Sequence, residues 1–184
     1  MSGAINWAVI VSATLCLPAP LLAQQSPGKA EAGDCSSFSW NLKREFAAFK
    51  TQALLLNASA DPKVNPVRLK EDQHVVATLV PHGSVSFAAP PGRQRKIENA
   101  TAGLLFFKTG AAGHYRISLS SRHWIDVVDE GKAIESLSHE GRGGCKLPHK
   151  VVEFQLPANR DLVIQLSGDT AATVDLLVTA VAKE

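Results

Sequence analysis

Strand signals and turn signals alternate along residues 113–168 with almost no exceptions, and this alternation limits the fold more than any other feature. Tyr115, Ile117 and Leu119 are separated by polar residues, which is the period of two of a half-buried strand. Turns rich in Gly, Asp, Asn and Pro separate the strand-like runs. The same period predicts that six further side chains point into a core: Val152, Phe154, Leu156, Leu162, Ile164 and Leu166.

The residues on either side of this stretch add further strand predictions. Residues 74–80 and 84–89 are β-branched runs, residues 102–110 are continuously apolar, and residues 173–182 form a long last run. Short strands at spacings of about 8 to 12 residues are typical of sandwiches. We therefore predict a mainly β fold, an antiparallel β-sandwich or jelly roll of about seven or eight strands, with a cupin-like barrel as the alternative.

One N-terminal helix is predicted beside these strands. Leu42, Phe46 and Phe49 fall at i, i+4 and i+7 within residues 37–56, and Ser39 is an acceptable N-cap. We expect this amphipathic helix to cover a face or an end of a sheet. The turn-rich residues 57–72 are predicted to be a long connection, and residues 90–101 a loop whose Arg93, Arg95 and Lys96 make a solvated basic tip.

The N-terminus has the pattern of an export signal. Residues 4–17 carry no charge and are followed by Pro18, Pro20 and Ala23. This apolar run is shorter than the roughly 20 residues of a membrane-spanning helix. We predict a signal peptide over 1–23, a disordered leader over 24–34 and a single domain over 35–184, in a periplasmic or secreted protein with no integral membrane segment in its mature part.

Cysteine usage and charge restrict the compartment and the partners. Removal of residues 1–23 leaves Cys35 and Cys145, which we predict to form a disulfide in an oxidising compartment, with Phe38 and Trp40 packed beneath it. The formal net charge of +2 is too small to indicate nucleic-acid binding. The expected partner is a small-molecule, glycan or protein ligand.

The outer face of the strands predicted within residues 113–168 is the predicted binding site. If the apolar residues face the core, then His114, Arg116, Trp124 and Asp126 face outward. An aromatic side chain beside cations and a carboxylate can stack on and hydrogen-bond a sugar or a peptide. The alternative is that Trp124 caps the core at the end of a sheet.

A metal centre is the competing hypothesis. Six histidines are present, but no HxH, HExxH or CxxC pair places two ligands at metal-binding spacing. The best ligand set is His114, His123 and His139 with Glu140 or Asp126, a two-histidine, one-carboxylate site of the non-haem iron type. Such a site would hold iron or another divalent metal and make the chain a small oxygenase on a cupin-like barrel, whereas the first interpretation needs no cofactor.

Two segments resemble a known family. GHYRISLSSRHWIDVVDEG, followed by a glycine-rich turn and then HKVVEFQLPANRDLVIQLSGDTAATVDLLVT, is similar to the bacterial pre-peptidase C-terminal domain over about residues 103–181. That domain is a secreted β-sandwich appended to exported hydrolases, and the resemblance implies a binding or accessory module. Because this sequence carries no protease domain, we expect no accessory role in cis. The early Cys and FSW also make the whole mature chain similar to a group of short, uncharacterised exported proteins of Gram-negative bacteria.

These patterns lead to a ranked expectation. The first is an exported, non-catalytic binding or envelope-associated accessory protein, and the second is the metal-dependent oxygenase. A third is a structural subunit that assembles through the edge of its long last strand.

Overall fold

The computed structural model describes residues 35–64, 68–94 and 96–182. The predicted signal peptide and leader, residues 1–34, lie outside the described residues. The helical elements of these described residues are two 3-10 turns and one α-helix: Cys35–Ser37, α1 Lys43–Ala48 and His82–Ser84. The strands are β1 Leu54–Asn57, β2 Arg68–Leu69, β3 Val75–Thr78, β4 Val80–Pro81, β5 Thr101–Lys108, β6 Gly113–Leu119, β7 Trp124–Asp129, β8 Lys132–Ile134, β9 Ser136–Gly141, β10 Lys150–Leu156, β11 Asp161–Asp169 and β12 Thr173–Ala180.

The strands form two sheets packed face to face, which confirms the β-sandwich. Sheet I has the order β1-β3-β12-β6-β10-β9, and sheet II has the order β2-β5-β11-β7-β8 with β4 paired to β5. Most pairs are antiparallel, but β1 pairs with β3 and β2 with β5 in parallel, so both sheets are mixed. Across the described residues the two sheets do not close on each other, and the cupin-like alternative is wrong.

The core lies between the sheets, where the period-two alternation predicts it. All nine side chains assigned to the core from the alternation belong to one buried cluster, and Phe154, Ile117 and Leu166 are each at most 1% exposed. Ile125 and Val127 of β7 join them from sheet II. β5 is buried along almost its whole length, as expected for a continuously apolar strand.

The N-terminal helix is much shorter than predicted. α1 covers only Lys43–Ala48, and its N-cap is Leu42 rather than Ser39, with Asn41 Oδ1 accepting from Lys43 N at 3.2 Å. The predicted helix ends early because Thr51 Oγ1 donates to Ala48 O at 2.7 Å and the chain then extends into β1, pairing in parallel with β3. The buried Leu42 and Phe49 still pack against the sandwich, so the amphipathic face was correctly assigned.

Two further predictions in the first half, one strand and one connection, are also wrong. Residues 84–89 are not a strand, because a 3-10 turn redirects the chain and the Gln165 amide oxygen accepts from the backbone N–H groups of Ala88 and Ala89 at 3.2 and 3.4 Å. Hydrogen bonds to the Gln165 side chain thus take the place of the backbone hydrogen bonds of a β-ladder there. The predicted connection over 57–72 contains the short strand β2.

The last strand, β12, is a central strand of sheet I rather than an edge strand. β12 lies between β3 and β6, where both neighbours use its backbone groups. The prediction of an unpaired last strand is wrong, and assembly through it loses its basis. Within residues 132–141 the chain forms two short strands that belong to different sheets, β8 in sheet II and β9 in sheet I.

The disulfide between Cys35 and Cys145 is confirmed, with a Cα–Cα distance of 4.9 Å. It joins the first described residue to the turn before β10. Phe38 and Trp40 pack in the same small cluster, as predicted. Of the described helices, none has the length and apolar character needed to cross a bilayer.

Candidate functional site

The four predicted binding residues do not form one surface. His114 and Arg116 lie on β6 of sheet I, whereas Trp124 and Asp126 lie on β7 of sheet II. The residues between the two strands carry the chain from one sheet to the other instead of forming a hairpin within one sheet. The predicted group is therefore split in two.

The two residues on sheet I, His114 and Arg116, make contacts within the protein itself. Arg116 Nε donates to Glu153 Oε2 at 2.8 Å, and its guanidinium lies over the ring of Trp40 with its carbon 4.7 Å from the centroid. Its Nη1 donates to the carbonyl of Asn41 at 3.2 Å, and His114 Nδ1 lies 2.9 Å from Glu153 Oε1. These contacts fasten the segment before α1 to sheet I, which is a structural role.

The half on sheet II holds an aromatic ring in a fixed orientation. Trp124 Nε1 donates to Asp126 Oδ1 at 2.8 Å, and Asp126 Oδ2 accepts from Gly92 N at 3.2 Å. A Cβ atom on Gly92 would lie only 2.8 Å from Asp126 Oδ1, so this close approach requires glycine. Gln165 Nε2 also donates to Asp126 Oδ2 at 3.3 Å. Asp126 is buried and positions Trp124 instead of facing a ligand.

Trp124 forms part of the wall of a cavity of about 210 Å³ on the β9 side of the sandwich, between the two sheets. The apolar Ile125 and Val152 contribute to its lining from opposite sheets. We call it the Trp124 cavity, and its lining residues are Arg93, Arg122, Trp124, Ile125, Ser136, His139, Gly141, Lys150, Val152 and Gly168.

The Trp124 cavity is strongly cationic. The Arg93 guanidinium and the Lys150 ammonium each lie 5.7 Å from the centroid of the Trp124 ring, and Arg122 is a third cation in the lining. Within the described ranges, none of these three cations has a carboxylate within 4 Å, and no acidic residue lines the cavity. The lining therefore carries an excess of positive charge, which an anionic ligand would complement.

The pKa of Lys150 is shifted in this cavity. Burial first and repulsion from Arg93 second lower the pKa of Lys150 from 10.5 to about 8, while Asp169 and Asp126 act in the opposite direction. Its Nζ donates to the carbonyl oxygen of His123 at 2.5 Å. The ammonium is therefore held in place by a neutral acceptor.

His123 lies behind Lys150 and serves the structure. It is completely buried, with Nδ1 2.8 Å from Ser121 Oγ and Nε2 3.0 Å from Thr101 Oγ1. Burial lowers the pKa of His123 from 6.5 to about 4, an effect that Asp169 partly offsets. The imidazole is neutral at physiological pH.

The proposed metal ligands are not brought together. His114 contacts Glu153, His123 is enclosed by two hydroxyls, and Glu140 accepts from Ser39 N at 3.0 Å and from Arg142 Nη2 at 2.9 Å. Of the four, His139 is the one that lines the Trp124 cavity. The described part of the chain contains no group of three His, Cys, Asp or Glu side chains suited to a metal ion, so these residues do not fit an iron site.

Most of the cavity's cations were missed by sequence reasoning. Arg93 was assigned to a solvated loop tip, and Arg122 and Lys150 were given no role. A signal existed, because Arg122 lies two residues before Trp124, and Lys150 lies two residues before Val152, which was predicted to face the core. The packing of the two sheets brings these three cations together, and a local sequence pattern carries no information about that packing.

Comparison with known proteins adds no family to this description. No protein-family model matches the sequence, and no curated protein matches it.

Proposed function

We propose that this chain is an exported, non-catalytic binding protein whose ligand site is the Trp124 cavity. The observation that carries the proposal is the combination of a fixed, partly exposed tryptophan with three cations that have no carboxylate partner among the described residues. Ligand sites are typically concave, with apolar or aromatic walls and a few placed polar groups. The resemblance to the pre-peptidase C-terminal domain, which implies a binding or accessory module, also supports this proposal.

The size of the cavity favours a small ligand or one unit of a larger one. At about 30 Å³ per water molecule, 210 Å³ corresponds to about seven waters. This volume is below the range of roughly 300 to 1,000 Å³ found for drug-sized ligands. We therefore expect the site to hold one ring or one short side chain.

Ligand-observed NMR against a panel of soluble saccharides and short peptides tests this function. Trp124→Ala should keep the fold, because the ring lies outside the main core cluster, and should abolish the signal of any panel member that binds. Trp40→Ala is the matched control, since Trp40 packs by the disulfide and not in the cavity. A signal that survives Trp124→Ala, or a panel without any binder, contradicts the proposal.

Export is tested separately from binding. The disulfide supports an oxidising compartment. The protein recovered from the periplasm or the medium of the producing cells should begin at Gln24 and carry the oxidised Cys35–Cys145 pair. Recovery of the uncleaved chain from the cytoplasm with two alkylatable thiols would contradict export.

A further inference from the structure

We infer that the Trp124 cavity binds a sugar ring that carries a carboxylate, as in a uronic acid unit of an acidic saccharide. The inference rests on the proposed function and names the ligand class for the same site. It follows from the charge, the shape and the remaining polar groups of the cavity.

The charge of the site requires an anion. Arg93 and Lys150 are both held beside one indole ring, and Arg122 adds a third positive charge to the same lining. The three like charges repel one another, and Asp126 and Asp169, which attract Lys150, lie outside the cavity lining. A ligand carboxylate would relieve this repulsion, and the planar guanidinium groups can donate two parallel hydrogen bonds to a carboxylate.

The shape of the site favours a ring over an extended chain. The indole of Trp124 is a flat wall whose orientation is set through Asp126 and Gly92, so it does not need to be ordered when a ligand arrives. A flat aromatic surface suits the C–H face of a sugar ring. A volume equal to about seven waters accommodates one such ring.

The polar groups of the opposite wall suit hydroxyls. Ser136 and His139 of β9 line the cavity and are exposed to solvent, so each can exchange a water for a ligand hydroxyl. Ile125 and Val152 are the aliphatic side chains of the lining. Two aliphatic residues provide little surface for a lipid chain, which favours a polar ring.

A paired titration tests the ligand class. The full chain carrying Trp7→Phe and Trp40→Phe retains Trp124 as its sole tryptophan, so its fluorescence reports on the cavity. The probes are methyl β-D-glucuronide and methyl β-D-glucoside, which differ at the carboxylate. We expect the glucuronide to bind at least tenfold more tightly, with an affinity that falls as NaCl is raised.

Two lysine variants link the effect to the cavity. Lys150→Met should weaken glucuronide binding about tenfold, because it removes one charged donor. Lys70→Met removes the same charge from an exposed position outside the lining and should leave binding unchanged. Since Lys150 also bonds to His123, Arg122→Met, an exposed cavity residue, provides a second measurement if Lys150→Met does not fold.

The outcomes separate the inference from the function on which it rests. Equal binding of the two glycosides, lost in Trp124→Ala, would overturn the carboxylate inference and leave the binding function standing. Binding of an acidic peptide but of neither glycoside would overturn the saccharide class. Absence of binding by every probe would contradict both proposals.

Discussion

At the scale of single residues, Lys150 links the electrostatics of the Trp124 cavity to pH. Its pKa of about 8 means that it is charged below that pH and neutral above it. Arg93 faces it from the loop before β5, Asp126 from β7 and Asp169 from the end of β11, so its surroundings carry both signs of charge.

We predict that the affinity for an anionic ligand falls as pH rises through about 8, because Lys150 then loses the charge that attracts it. Fluorescence titration with methyl β-D-glucuronide between pH 6.5 and 9.5 measures the change. Lys150→Arg, whose guanidinium stays charged throughout, should show a flat profile. The same decline in Lys150→Arg would contradict the assignment to Lys150.

His123 makes a prediction about acid stability. Its folded-state pKa of about 4 is below the unfolded value of 6.5, so the unfolded chain takes up a proton first as the pH falls. The free energy of unfolding should therefore decrease between pH 6.5 and 4, by about 3 kcal/mol at 1.36 kcal/mol per pKa unit.

Denaturant unfolding across this pH range checks the effect of His123. In His123→Gln the decrease should be smaller by that amount, whatever the variant's stability at pH 7. His139→Gln, at an exposed position, is the control and should follow the wild-type curve. A His123→Gln curve parallel to the wild type would show that this imidazole is not the buried neutral group described here.

At the scale of elements, α1 and the residues before it are held to sheet I by charges as well as by packing. Arg116 is only 13% exposed in its side chain, bonds Glu153 and lies 3.9 Å from Glu45, whose side chain is 4% exposed. Glu45 also accepts from Thr179 Oγ1 at 2.8 Å. Removing the Arg116 guanidinium would leave the two shielded carboxylates of Glu153 and Glu45 without this positive charge.

We predict that Arg116→Met lowers the free energy of unfolding by about 3 kcal/mol, as expected when one partner of a buried pair is removed. Arg68→Met breaks an exposed pair with Asp161 and should cost less than about 1 kcal/mol. Thermal unfolding of the two variants measures the difference. Equal losses would mean that Arg116 is not a structural clamp.

Sequence reasoning predicted the buried face of a strand correctly where the alternation is strict. Tyr115, Phe154 and Ile164 occupy the core because one face of each strand must be buried, and a period of two identifies that face locally. The predicted helix over residues 37–56 was too long because its last three residues, 54–56, lie in the edge strand β1. Pairing with β3 decides their conformation, and that contact is not local.

The candidate site shows the same limit more strongly. The alternation correctly predicted that Trp124 lies outside the main core cluster. It could not show that β6 and β7 belong to different sheets. His114 and Arg116 were therefore grouped with Trp124, while Arg93 and Lys150, which do meet it, were not. Which strands pair is set by the whole sandwich.

At the scale of the whole molecule, the disulfide ties the first described residue to the turn before β10 across 110 positions of sequence. A cross-link that closes so long a loop restricts the unfolded chain strongly. The chain-entropy model gives about 5 kcal/mol for a loop of this length.

We predict that Cys35→Ser with Cys145→Ser lowers the free energy of unfolding by about 3 to 5 kcal/mol, measured by denaturant unfolding without reductant. Reduction of the wild type should produce a similar loss, which serves as the control for the two serines. A change below about 1 kcal/mol would indicate that the sandwich alone restrains this end of the chain.

The most direct test of the whole account is the position at which an acidic sugar contacts the protein. In ¹H–¹⁵N correlation spectra with methyl β-D-glucuronide, the largest shifts should fall on the Trp124 indole N–H and the amides of Gly141, Lys150 and Gly168, while the Trp40 indole stays in place. Shifts centred on Trp40 and His114, or none at saturating ligand, would contradict the assignment of the Trp124 cavity as the binding site.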